Sequence, residues 1–273
     1  MDNIVAIKTN CYKDFDFYEA LTQIRNAGFN YIELSASSGL KNPVGLDKSF
    51  SELCAIKNKL KELDLIPVSL GGHMNIMDEA NIPDFIDKIR LAHFFGCRYI
   101  VTSVGDAHKE EDYIISNEEI AKHIQVFIPY LNEYDMTLVI ELHGYHSTGK
   151  IVSEICRLSD SERVKINYDT GNAIFWGELD SDEMIDDFEK CISDVGYMHL
   201  KDKLGDKKEW NFPALGKGYI PLDKIIDILK QNNNSSCLSV EIEFTPEGVK
   251  DIDEVNQAVK DSADYLSQLG LKL

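Results

Sequence analysis

The sequence predicts an α/β fold of the (β/α)8 TIM barrel class, as a single domain over residues 1–273. Three observations carry this. Eight short β-rich runs recur along the chain, and longer stretches of helical periodicity lie between them. A length of 273 residues is ordinary for one such barrel. No Gly-x-Gly-x-x-Gly follows the first run, so an open dinucleotide-binding sheet has no support.

The first run covers residues 4–8. Phe17, Leu21 and Ile24 then share one helical face, and Gly28 follows as a left-handed C-cap. Runs at 31–34 and 66–70 come next. Phe85, Ile89 and Ala92 mark another helix, closed by Gly96 before the run at 99–103. Ser116 with Glu119 reads as a capping box. It opens one helix whose apolar face is Ile120, Ile124, Phe127 and Leu131. Runs at 137–142, 164–168, 197–200 and 237–242 complete the set. The polar stretch from Gln231 to Ser236 is a connecting loop rather than a domain boundary.

Composition narrows the function classes. An apolar fraction of 44% is enough for a full core, and no stretch of eighteen apolar residues exists to span a membrane. Met1-Asp2-Asn3-Ile4 lacks the basic-then-apolar pattern of a secretory segment. Six cysteines are scattered without a Cys-x-x-Cys pair, which reads as reduced thiols in a cytoplasmic protein. A formal charge of −19 repels phosphate backbones, so no nucleic-acid partner is expected.

Four side chains stand at or just beyond the ends of successive runs. They are Glu141 after Leu138-Val139-Ile140, Asp169 after Asn167-Tyr168, His199 after Tyr197-Met198, and Glu241 after Ser239-Val240. A carboxylate or imidazole at such a place is costly to bury unless it is paired or bound to metal. Barrel enzymes carry their chemistry at the C-terminal ends of the strands. The four therefore read as ligands of one divalent cation. Three carboxylates with one imidazole favour Mn²⁺, with Mg²⁺, Co²⁺ or Zn²⁺ as alternatives. Glu141 and Glu241 also read as a catalytic acid–base pair. The alternative for both is an ion pair with a rim lysine.

Candidate substrate contacts surround these four. His143 shares the inward side with Glu141, and His73 ends the third run after two glycines. Asn172 lies in the turn after Asp169, and Lys201 shares a side with His199. Asp202 either meets substrate, orients the imidazole or closes a turn. Trp176 and Trp210 lie in loops where they stack on a sugar face, and Glu33 meets substrate or pairs with a lysine. Gly216-Lys217-Gly218 is either a phosphate loop or a tight turn. His93 and His123 fall inside helices and are structural, and the loop residues His108 and His146 receive no role.

Several of these motifs together resemble the xylose-isomerase-like superfamily of sugar isomerases and epimerases. They are Val139-Ile140-Glu141-Leu142-His143, Tyr168-Asp169-Thr170-Gly171-Asn172, His199-Leu200-Lys201-Asp202, Leu215-Gly216-Lys217-Gly218 and Ser239-Val240-Glu241. The resemblance implies one divalent metal held by Glu141, Asp169, His199 and Glu241, with the two glutamates moving a proton through an enediolate. It implies a small sugar or sugar-like substrate, and relatives of this kind often form homo-oligomers. Where some epimerases of the superfamily place an arginine, this chain has Lys203-Leu204-Gly205. Inosose and dehydroshikimate dehydratases are similar at this level, so a metal-dependent lyase is the alternative. An abasic-site endonuclease and a non-catalytic sugar-binding module are weaker readings. The endonuclease branch uses more histidines than the seven present here.

Overall fold

The computed structural model describes residues 3–37, 43–105 and 115–273. Eight parallel strands close into a barrel in sequential order. They are β1 (Val5–Lys8), β2 (Tyr31–Ser35), β3 (Ile66–Gly71), β4 (Tyr99–Thr102), β5 (Thr137–Glu141), β6 (Val164–Asp169), β7 (Val195–Leu200) and β8 (Cys237–Val240). The ring closes where Val5, Ala6 and Ile7 pair with Leu238, Ser239 and Val240. Every predicted run is a strand, with ends shifted by a residue or two.

The helices around the barrel are α1 (Phe17–Asn26), α2 (Phe50–Glu62), α3 (Ile82–Phe95), α4 (Asn117–Ile124), α5 (Ile128–Glu133), α6 (Gly149–Leu158), α7 (Thr170–Phe175), α8 (Ser181–Cys191), α9 (Leu222–Gln231) and α10 (Ile252–Gln268). Local chemistry sets their starts. Ser49 with Glu52, Ser116 with Glu119 and Asp180 with Glu183 each form a reciprocal capping box. A cap of this kind is worth about 1 kcal/mol. Gly28 and Gly96 adopt φ of 103° and 82° after α1 and α3, a region that L side chains rarely enter.

One expectation needs correction. Ile120 to Leu131 reads as a single helix but forms two, α4 and α5. Pro129 sits in the first turn of α5. Its ring and missing N–H forbid a continuous helix through that point, whereas the first turn tolerates both. The apolar face survives the break, because Ile120, Ile124, Phe127 and Leu131 are all buried.

Alternation along the strands makes two cores. Residues such as Ile7, Leu34, Leu138, Ile140, Ile166, Met198, Leu238 and Val240 belong to the large core of strands and helices. Ala6, Val68, Val101, Val139, Tyr197 and Cys237 form a second, smaller cluster. Above this plug the same alternation presents polar residues. Neighbouring strands set Lys8 beside Glu33, Glu141 beside Asn167 and Asp169 beside His199. The fold thus gathers charged groups at one mouth of the barrel. Among the described residues no helix is long and apolar enough to cross a membrane. All six cysteines are unpaired thiols.

Candidate metal centre

Glu141, Asp169, His199 and Glu241 are all buried, and one donor atom from each lies within 4.8 Å of the others. His199 Nδ1 is central. It stands 3.0 Å from Glu241 Oε2, 3.4 Å from Glu141 Oε1 and 3.6 Å from Asp169 Oδ2. Donors that share one ion at about 2.1 Å stand roughly 3 Å apart, so these separations fit a common cation. Two oxygens turned toward this point, Asp169 Oδ2 and Glu241 Oε2, are buried without a hydrogen-bond partner. Lys201 Nζ approaches them to 3.1 and 3.2 Å but does not meet hydrogen-bond geometry.

Charge points the same way. Four buried carboxylates, Glu33, Glu141, Asp169 and Glu241, face two buried ammonium groups, Lys8 and Lys201. Glu243, 2.8 Å from Lys201, adds a further acid. Such an excess of buried negative charge calls for a cation. An ion held by three carboxylates and an imidazole is a divalent metal of the Mn²⁺, Mg²⁺, Co²⁺ or Zn²⁺ kind.

The two glutamates have unlike surroundings. Glu241 Oε1 meets Lys8 Nζ at 2.6 Å and accepts from Asn10 Nδ2 at 2.8 Å. Burial raises the Glu241 carboxyl pKa, but Lys201, Lys8 and His199 outweigh it and hold the pKa well below the ordinary value. Glu141 Oε1 accepts from Asn172 Nδ2 at 3.0 Å, and its Oε2 meets His73 Nε2. Burial opposes ionisation of Glu141 as well, but His199, His73 and Lys8 prevail. Asp169 is shifted the other way: burial raises its pKa despite Lys201.

The remaining predicted residues divide. Asn172 stands within the centre: its backbone N–H donates to Asp169 Oδ1 at 2.8 Å while its amide holds Glu141. Lys201 reaches Asp169, Glu241 and Glu243. His143 sits in the loop after β5, its ring 5.1 Å from Trp176. An aromatic wall continues through Phe175 to Trp210 and Phe212. His108 lies outside the described residues.

Asp202 is committed elsewhere. Its carboxylate accepts from the backbone N–H of Lys203, Gly218 and Ile220 at 2.8, 2.7 and 3.2 Å. These bonds close the Gly216-Lys217-Gly218 loop as a tight turn, and Lys217 pairs with Asp261 at 2.9 Å. The Gly218 amide therefore points at a protein carboxylate and the Lys217 amide at the Ala214 carbonyl, 3.2 Å away, so neither faces outward to cradle a phosphate. A Cβ at Gly218 would stand 2.2 Å from Asp202 Oδ1, so only glycine fits. Asp202→Ala strands several buried N–H donors and costs on the order of 3 kcal/mol. Denaturant unfolding checks this, and a loss below about 1 kcal/mol would show that the turn stands without the carboxylate.

Lys8, Asn10, Asn167 and Glu243 also shape the centre although the sequence reading passed over them. Their signal was available. Lys8 closes the apolar run Val5-Ala6-Ile7 just as Glu141 closes its own, and a buried ammonium there needs a carboxylate partner. Asn167 and Glu243 stand two residues from Asp169 and Glu241, on the same strand side.

Comparison with known proteins places this geometry in context. The family described as Xylose isomerase-like TIM barrel matches residues 21–269. An inosose dehydratase of Bacillus cereus is 24% identical over 260 residues, which is 84% of this chain and 83% of that protein. An inosose dehydratase of Clostridium tetani is 28% identical over 158 residues, and the match spans about half of each chain, 50% and 51%. A solved structure of D-psicose 3-epimerase with D-tagatose, from Clostridium cellulolyticum H10, superposes with a TM-score of 0.77. That match covers 97% of this chain and 98% of that one at 12% identity, a likeness of fold.

Proposed function

The chain belongs to the xylose isomerase-like TIM barrel family, and from that membership and the centre at the barrel mouth we infer a divalent-metal-dependent enzyme. Its reaction moves the proton beside the ketone of a small, neutral, sugar-like polyol. The observation that carries the reading is the convergence of Glu141, Asp169, His199 and Glu241, with two buried carboxylate oxygens that accept no hydrogen bond. A cation held there supplies Lewis-acid stabilisation of negative charge developing on the ketone oxygen. Mn²⁺ suits the donor set first, with Mg²⁺, Co²⁺ and Zn²⁺ compatible. The excess of acids around the site favours a neutral substrate over an anionic one.

Within this reading Glu141 takes the proton, and His73, in contact with Glu141 Oε2, shares it. In an isomerase or epimerase Glu241 returns a proton to the sugar after first taking one from solvent, because Lys8 and Asn10 hold it as the anion at rest. His143 and the Trp176 ring bound the substrate space, and Asn172 and Lys201 orient the polar groups. The working assembly is one domain over residues 1–273, cytoplasmic and without nucleic-acid or membrane partners. A homo-oligomer is compatible with it.

A second reading, a dehydratase, rests on the unlike glutamates. Lys8 and Asn10 hold Glu241 as a fixed anion, which suits a ligand better than a group that must exchange protons. In that case the proton taken by Glu141 passes to a β-hydroxyl, which leaves as water while the C=C bond forms. The inosose dehydratases among the relatives support this reading. Carbon NMR of the products from a panel of ketoses and inososes with Mn²⁺ separates the two. An inverted or migrated centre supports the isomerase or epimerase, and a lost hydroxyl supports the dehydratase. No change across the panel would leave the binding module as the better account.

A further inference from the structure

His199 has two ring nitrogens, and only Nδ1 faces the three carboxylates. The other, Nε2, points down into the barrel, where Glu33 stands 3.0 and 3.1 Å away through its two oxygens. Glu33 is fully buried in the middle of β2, on the Nε2 side of the imidazole, away from the three candidate carboxylate ligands. It is itself held in place. Tyr197 donates its hydroxyl to Glu33 Oε2 at 2.7 Å, and Ser69 donates at 3.3 Å. The Tyr197 and Ser69 hydroxyls meet each other at 2.6 Å. Lys8 stands 3.7 Å from Glu33 Oε1 and 2.6 Å from Glu241 Oε1. Side chains from β1, β3 and β7 therefore converge on this one β2 carboxylate.

We propose that Glu33 is a positioning residue for the metal centre: it accepts the His199 Nε2–H and so turns Nδ1, with its lone pair free, toward the cation. The inference rests on the metal reading above. An imidazole carries one proton in its neutral form and ligates through the other nitrogen. A carboxylate behind Nε2 fixes both the tautomer and the ring plane. Loss of such a partner commonly weakens metal affinity 10- to 100-fold. Asn167 Nδ2 stands 3.1 Å from Nδ1 on the metal side of the ring. The three hydroxyl and ammonium groups around Glu33 keep the carboxylate from following the ring if the ring turns.

Co²⁺ titration of the full chain tests this, with affinity and the visible d–d spectrum read together. Glu33→Gln keeps the shape but removes the charge, and it should weaken Co²⁺ binding 10- to 100-fold and alter the band. The metal-free variant should still melt cooperatively with a wild-type far-ultraviolet spectrum, at a lower temperature because His199 and Lys8 lose a buried partner, which separates positioning from misfolding. Wild-type affinity with an unchanged spectrum would overturn the proposal. If Glu33→Gln does not fold, Tyr197→Phe decides: it leaves Glu33 in place without its shortest anchor, so affinity should fall several-fold, and an unchanged value would overturn the inference. Wild-type chain that takes up no Co²⁺ would overturn the metal reading and this one together. A bound wild type with an unaffected Glu33→Gln variant would sink only this one.

Discussion

Glu141→Gln lowers turnover by on the order of 10³-fold while leaving the fold intact. A positioned general base contributes about 10² to 10⁴, and glutamine cannot take a proton. The substitution is close to isosteric. Asn172 still has an amide oxygen to donate to, and the neighbours of the other carboxylate oxygen keep a polar partner. Removing the charge also forfeits its attraction to His199, His73 and Lys8, so the metal-free variant should fold but melt below the wild type. Single-turnover kinetics with metal in excess isolates the proton transfer from weakened metal binding. A variant that keeps even a tenth of the wild-type rate would remove Glu141 from the proton path and leave it a ligand only.

Metal removal has the second large effect, and it acts on stability as well as rate. Chelation should abolish turnover, and added Mn²⁺ should restore it. The same cation binds the folded chain and not the unfolded one, so at 100 times its dissociation constant it stabilises the fold by about 2.7 kcal/mol. For a chain of this size that raises the melting temperature by roughly 5 to 10 °C. His199→Ala removes the donor that lies within 3.6 Å of all three carboxylates, so its melting temperature should no longer respond to Mn²⁺. A wild-type rate that survives full chelation would end the metal account. A metal-dependent shift that persists in His199→Ala would mean that the cation sits elsewhere.

Much of this protein could be read from its sequence, for identifiable reasons. Strand alternation and the position of acids at strand ends follow from local periodicity, so the juxtaposition of Glu141, Asp169, His199 and Glu241 at one barrel mouth is legible in the sequence. The capping box at Ser116 is a four-residue signal and needs no tertiary context. The break at Pro129 was missed because the apolar spacing from Ile120 to Leu131 runs through it undisturbed. The phosphate alternative at Gly216–Gly218 closed only when Asp202, sixteen residues before Gly218, proved to hold its amide. Glu33 and Lys8 lie on β2 and β1, and they meet Tyr197 and Glu241 only because the barrel closes. Sequence separations of 164 and 231 residues, for Tyr197 with Glu33 and for Asn10 with Glu241, carry no local signal at all.

Deuterium uptake into a ketose or inosose panel in D₂O, with Mn²⁺ and with chelator, tests the central claim most directly. The account predicts exchange at the carbon beside the ketone that depends on the metal and disappears in Glu141→Gln. Exchange at full rate in chelator, or exchange unaffected by Glu141→Gln, would contradict it.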